Sequence, residues 1–178
     1  MVSTTCGVPP NLKVRSRPDL IEHLPRLRRY ARALTGEVTR ADDLVQDTLE
    51  RALAKLDLWQ PGTDLRAWLF TLMHNVFLNQ IRSFRSSDSA LDEAQDIPVS
   101  GGQMEALGAR DIHAALARLP DQQREVMLLV GLEQFSYDEA AQVMGVPVGT
   151  VMSRLSRARE RMRQMLAGES VVQLKVVK

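Results

Sequence analysis

Apolar residues recur at three- and four-residue spacing along most of this chain, which is the period of an amphipathic helix and not the alternation of a strand. Leu20, Ile21, Leu24, Leu27, Ala31 and Leu34 make the first such stripe, ended by the turn signal Thr35-Gly36. A second helix is expected to open with Thr39 as N-cap and Asp42 three positions on, an acidic variant of the capping box. It would bury Leu44, Val45, Thr48, Leu49, Ala52 and Leu56 and show Asp42, Asp43, Gln46, Asp47 and Glu50 on its other side. Gln60-Pro61-Gly62 breaks the pattern, and Thr63 is placed to cap a third helix. The apolar side of that helix is Leu65, Trp68, Leu69, Leu72, Val76, Phe77, Ile81 and Phe84. Trp68, Phe70, Phe77 and Phe84 read as core, not as stacking platforms, and His74 reads as a polar surface residue.

This first block runs from about Pro18 to Arg85. The text from Ser86 to Gly108 then carries five acids, no Lys or Arg, and several Ser and Gly, the composition of an acidic flexible linker. Helical spacing returns with Ile112, Leu116 and Leu119, and Pro120 starts a helix through Val126, Met127 and Val130. Ser136 and Glu139 form a capping box before Ala140-Ala141-Gln142-Val143-Met144, and Gly145-Val146-Pro147 turns the chain into a last helix. The tail VVQLKVVK alternates, but it is too isolated to build a sheet. The expected fold is all-α: two small helical domains (18–85 and 109–167) on an acidic linker (86–108), a flexible N-terminus (1–17) and a tail (168–178). The C-terminal domain is a helix-turn-helix.

Composition narrows the chemistry mainly by exclusion. Lys plus Arg is 23 and Asp plus Glu 22 in 178 residues, so the whole-chain balance points to no partner. Cys6 is the single cysteine, which rules out a disulfide framework or thiolate cluster and fits a reducing cytoplasm. The start lacks the basic-then-apolar order of a signal peptide, and the longest apolar run, VMLLV at 126–130, is too short to span a bilayer. His23 and His113 stand apart from any matching cluster, so no metal site is expected. No nucleophile–base pair or Gly-rich phosphate loop supports an enzyme, and no cofactor is expected.

Charge is concentrated locally instead. Arg154, Arg157, Arg159, Arg161 and Arg163 face one acid, Glu160, between Met152 and Met165. At 100° per residue, Val148, Val151, Leu155, Ala158, Met162 and Leu166 share one side of this helix, while Thr150, Ser153, Ser156, Arg157 and Arg161 project on the other. A basic amphipathic helix alone is often no more than a solvated surface. Preceded by a capped helix, a small Ala140-Ala141 pair and a Gly turn, it takes the place of the helix that enters the DNA major groove. Ser153, Ser156 and Arg157 then suit base edges, and Arg154, Arg159, Arg161 and Arg163 suit phosphates.

Four segments together resemble the extracytoplasmic-function (group four) sigma factors, the smallest specificity subunits of bacterial RNA polymerase. RADDLVQDTLERAL (40–53) is similar to the family's polymerase-binding segment, and LRAWLFTLMHNVFLNQIRS (65–83) to the segment that reads and opens the −10 element. LARLPDQQREVMLLV (116–130) and SYDEAAQVMGVPVGTVMSRLSRARERM (136–162) are similar to its −35-reading domain. The resemblance implies that Asp42, Asp43, Gln46, Asp47 and Glu50 dock on the clamp helices of the polymerase's largest subunit, with the flap of the second-largest subunit as a further contact. It also implies that Asn75, Asn79 and Arg82, at i, i+4 and i+7, capture an unpaired non-template base with help from the loop Trp59–Asp64. The other implied partners are promoter DNA and an anti-sigma factor that clamps both domains.

Two features depart from the family. Many members carry Arg or Lys where this chain has Met152, so its −35 preference would differ from theirs or lean on apolar contact with a thymine methyl. The third domain of larger sigma factors is absent, and the acidic linker stands in its place, on a path that in the family leads toward the RNA exit. Two other functions compete. A one-component regulator, with a helix-turn-helix on a sensing domain, leaves the acidic face and the Asn75/Asn79/Arg82 stripe unused. A sigma-mimicking decoy for an anti-sigma factor leaves the arginines unused.

Overall fold

The computed structural model describes residues 19–87 and 105–170, and every regular element in them is helical. The expected N-terminal segment (1–17), most of the expected linker and the VVQLKVVK tail lie outside the described residues. A single 3-10 turn, Ile21–His23, leads into α1 (Leu24–Thr35). That helix stops where the turn signal stood: Gly36 takes φ 74°, a left-handed conformation that costs glycine little, and donates its N–H to the Arg32 carbonyl.

α2 (Val38–Ala54) begins earlier than expected. Thr39 lies within its first turn, and the N-cap is Glu37, whose backbone is extended and whose side chain makes no capping bond. The tight Gly36 turn delivers the chain to helix entry two residues before Thr39, and the Thr35 hydroxyl meets the local backbone there, bonding the Ala31 and Glu37 carbonyls. The predicted stripe is otherwise in place, with Leu44, Val45, Thr48 and Ala52 buried and Leu49 and Leu56 half-buried. Buried Thr48 satisfies its hydroxyl on the Leu44 carbonyl at 2.7 Å.

After a 3-10 turn at Leu56–Leu58 and the Trp59–Asp64 loop comes α3 (Leu65–Ser87). Its cap is Asp64, not Thr63: the carboxylate Oδ1 accepts from the Arg66 N–H at 2.8 Å and the Ala67 N–H at 3.2 Å. Thr63 turns its hydroxyl back to the Gln60 carbonyl. The carboxylate is one residue nearer the open N–H groups and is the stronger acceptor.

The second domain comprises α4 (Glu105–Ala117), α5 (Asp121–Gly131), α6 (Tyr137–Met144) and α7 (Val148–Ser170). α4 starts inside the segment read as linker, and α7 runs beyond the expected domain end at 167. Ile112, expected on the buried side of α4, is exposed, whereas Ala115 and Leu119 are buried. The Ser136/Glu139 capping box forms in both directions, since the Ser136 hydroxyl accepts from the Glu139 N–H and the Glu139 carboxylate accepts from the Ser136 N–H. Those bonds favour the ionised carboxyl and hold its pKa below the usual carboxylate value. The resulting stability is present above the unfolded Glu pKa of about 4.3 and is lost as pH falls through the lower folded value. Ser136→Ala should cost about 1 kcal/mol. Glu139→Gln should remove part of the stability gained as pH rises from below the lowered carboxyl pKa to above its unfolded value, as chemical denaturation at several pH values would measure.

The two domains joined by the linker also pack together: their buried side chains form one continuous core. Two faces of α3 explain this. Leu69, Leu72 and Val76 complete the first domain, while Arg66, Phe70 and His74, spaced by four, meet α5 and the turn before α6. Phe70 stacks edge-on with Tyr30 of α1 at 5.0 Å and with Phe135 of the second domain at 5.2 Å. His74, expected at the surface, is buried, with its Nδ1 2.5 Å from Oε1 of Glu125 on α5.

Glu133 is enclosed beside this contact. Its carboxylate takes an Arg29 N–H at 2.8 Å and its carbonyl an Arg66 N–H, while the Arg66 guanidinium lies 3.9 Å from the Phe135 ring centre. Arg124 ties the domains at a third point. It donates to the Leu34 carbonyl at the end of α1 and to the Leu116, Ala117 and Leu119 carbonyls at the end of α4. One cation thus serves the negative ends of two helices. Burial of Arg124 pulls its pKa down, opposed in part by Asp121. Tyr30, enclosed and near the Glu125 and Glu133 carboxylates, has its hydroxyl pKa pushed well up, by burial first.

Candidate nucleic-acid interface

The helix-turn-helix is α6, a turn at Gly145 and α7. Ala140 and Ala141 are both buried in α6, which packs on α7, and side chains this small allow a close helix crossing. Gly145 takes φ 62° and the Val146 N–H bonds back to the Ala141 carbonyl at 3.0 Å, ending α6 in a left-handed cap. α7 starts directly after Pro147, whose carbonyl accepts from the Thr150 and Val151 N–H groups.

Val151, Leu155 and Ala158 hold α7 to the domain core. Outward from them, Met152, Ser153, Ser156, Arg157, Arg159 and Arg161 are exposed, and Thr150 and Arg154 are half-buried. Ser153 rests with its hydroxyl on the Thr150 carbonyl at 3.0 Å. Glu160 is taken up by Arg163 and Gln164, which leaves the cations nearer the helix start unopposed by it. The predicted reading residues are therefore brought together on one helical surface.

The second group lies on α3. Asn75, Asn79 and Arg82 are exposed on the side opposite the buried arc, so the polar stripe exists as a surface. Asn75 at present donates its amide to the Thr71 carbonyl of its own helix at 2.9 Å. Trp59 is half-buried, and its indole N–H is enclosed with no hydrogen-bond partner among the described residues. The loop tryptophan is thus packed on the domain with an unmet donor.

The acidic face of α2 is the third group. Asp42 and Asp43 are exposed, and Gln46 and Glu50 hydrogen-bond each other at 3.0 Å. Half-buried Asp47 accepts from Gln80 of α3 at 3.0 Å. The sequence reading missed that α3 shares this surface: a groove between the helices is lined by Arg40, Asp43, Gln46, Asp47, Gln80 and Ser83. Gln80 lies between Asn79 and Ile81 and follows neither stripe, so spacing alone could not place it. The described residues contain no group of three or more His, Cys, Asp or Glu that could hold a metal ion.

Residues 20–74 match the family model "Sigma2 domain of PhyR", and residues 109–162 match "Sigma-70, region 4". The chain is 43% identical over 152 residues to the ECF RNA polymerase sigma factor EcfG of Rhodopseudomonas palustris, covering 84% of each chain. Among solved structures it resembles the sigma factor RpoE of Bartonella quintana, crystallised with the anti-sigma factor NepR. The TM-score is 0.73 and the identity 39%, over 84% of this chain and 94% of that one. It also resembles CnrH, solved with the cytosolic domain of CnrY, at TM-score 0.61 and 29% identity over 84% and 85% of the two chains. With both sigma regions in order and this identity across most of its length, the chain belongs to the ECF RNA polymerase sigma factors.

Proposed function

We propose that three surfaces of this sigma factor divide promoter recognition among them. The acidic α2 face, with Gln80 beside it, binds the clamp helices of core polymerase through Asp42, Asp43, Gln46, Asp47 and Glu50. Asn75, Asn79 and Arg82, with Trp59 in the preceding loop, engage the −10 element once its strands part. Thr150, Met152, Ser153, Arg154, Ser156, Arg157 and Arg161 read the −35 element in the major groove. The observation that carries this reading is the arginine-rich outer face of α7 on a capped helix-turn-helix, in a chain that also exposes an acidic helix face. An operator-binding regulator has no use for that acidic face, and a decoy has none for the arginines.

The chain supplies no covalent chemistry, since polymerisation belongs to the partner, and its place of action is the cytoplasm, where polymerase and promoter meet. No helix among the described residues is long and apolar enough to cross a membrane. Control by an anti-sigma factor is supported by the similar structure of RpoE, solved with the anti-sigma factor NepR.

Footprinting and permanganate reactivity with holoenzyme separate the two DNA surfaces. Arg157→Ala should weaken −35 protection about 5- to 100-fold, the range of one bidentate base contact. Asn75→Ala with Asn79→Ala should leave −35 protection in place and suppress strand opening. Equal loss of every step in both variants would count against the division.

A further inference from the structure

We infer that Tyr137 and Met152 together form an apolar contact that reads the C5-methyl group of a thymine in the −35 element. The inference rests on the proposed role of α7 as the −35 reader and specifies what one part of it recognises. Along α7 the apolar residues before Arg159 are turned inward, Val151 and Leu155 being 0% and 2% exposed, yet Met152 is 53% exposed. Tyr137, the first residue of α6, is 37% exposed. Both line one groove between the helices, with Ser156, Arg159, Glu160 and Arg163 along it. Met152 and Ser156 are one helical turn apart, so the apolar pair lies on the flank of the face assigned to base edges.

Chemistry selects the occupant. The Met152 thioether offers phosphate oxygens no donor and would strip their hydration, whereas the Tyr137 hydroxyl is a donor, so the choice of occupant rests on Met152. The thymine methyl is the apolar group that base pairs display in the major groove. Arg159 lines the same groove and offers a cation to a flanking phosphate. Glu160, the acid within it, is already bonded by Arg163 and Gln164 and so repels those phosphates less. Methionine also adapts its shape at low cost, which suits a contact made only when the helix enters the groove.

Deoxyuridine differs from thymidine by that methyl alone and gives a direct test. Holoenzyme made from core polymerase and the full chain is titrated onto promoter duplexes in which each −35 thymine is replaced in turn by deoxyuridine. One or two replacements should weaken binding about fourfold, the effect of one buried methyl group. Met152→Lys and Tyr137→Ala should erase that penalty at the same positions, while Met152→Leu, which keeps an apolar side chain, should retain it. Indifference of the wild-type holoenzyme to every replacement, with Arg157→Ala still weakening binding, would overturn the methyl contact and leave the −35 reading standing. The groove would then serve another contact, such as a partner protein. Indifference to the entire −35 sequence, with Arg157→Ala also silent, would overturn both.

Discussion

Asp43→Arg combined with Asp47→Arg should reduce affinity for core RNA polymerase by at least about 30-fold. Exposed single ion pairs contribute little, about 0–1 kcal/mol each, so neutralising Asp42 alone should be nearly silent. Reversing two charges is different, because it sets like charges together across the interface at a cost of several kcal/mol. Asp47 adds a second effect. It is half-buried and bonded to Gln80, so an arginine there also breaks the tie between α2 and α3 along the groove. Competition against a labelled sigma factor for core polymerase measures the loss, and a helical circular dichroism spectrum establishes that the variant is folded. A loss below about threefold would show that the clamp is met elsewhere.

Glu125→Ala should be the most destabilising single change outside the apolar core, at about 3 kcal/mol. Glu125 is 1% exposed and its partner His74 8%. Truncating the acid leaves the imidazole enclosed without its partner, and breaking such a buried pair typically costs about 3–5 kcal/mol. For a chain of this size the midpoint of thermal unfolding should fall by about 6–12 °C. Glu125→Gln, which keeps an acceptor and adds a donor, should cost about 1 kcal/mol. Calorimetry of the two variants checks the order, and equal effects would show that the contact contributes through shape alone.

These examples also show which parts of the molecule local sequence could reveal. The Ser136/Glu139 box was legible because donor and acceptor are three residues apart and nothing nearby competes. Thr39 and Thr63 satisfied the same local rule and failed. In one case the Gly36 turn started the helix sooner, and in the other the Asp64 carboxylate outbid a hydroxyl for the same N–H groups. The exposed polar faces of α3 and α7 were legible because a helix places i, i+4 and i+7 on one side whatever it packs against.

The union of the two domains was not legible. Arg66, Phe70 and His74 share a stripe, but two of the three are polar, so the pattern reads as surface until Glu133, Phe135 and Glu125 arrive from the other domain. No local spacing rule connects His74 with an acid 51 positions away or Arg29 with one 104 positions away. Gln80 escaped for a related reason, since its role depends on how α2 lies against α3.

The central claim is that this chain gives core polymerase a promoter. Run-off transcription with purified core enzyme, on a template carrying paired −35 and −10 elements selected by the holoenzyme, tests it most directly. A transcript of one defined length that requires the chain is expected, and it should be lost with Asn75→Ala/Asn79→Ala or with Asp43→Arg/Asp47→Arg. Binding of the chain to DNA by itself, with no defined start in the presence of core enzyme, would contradict it.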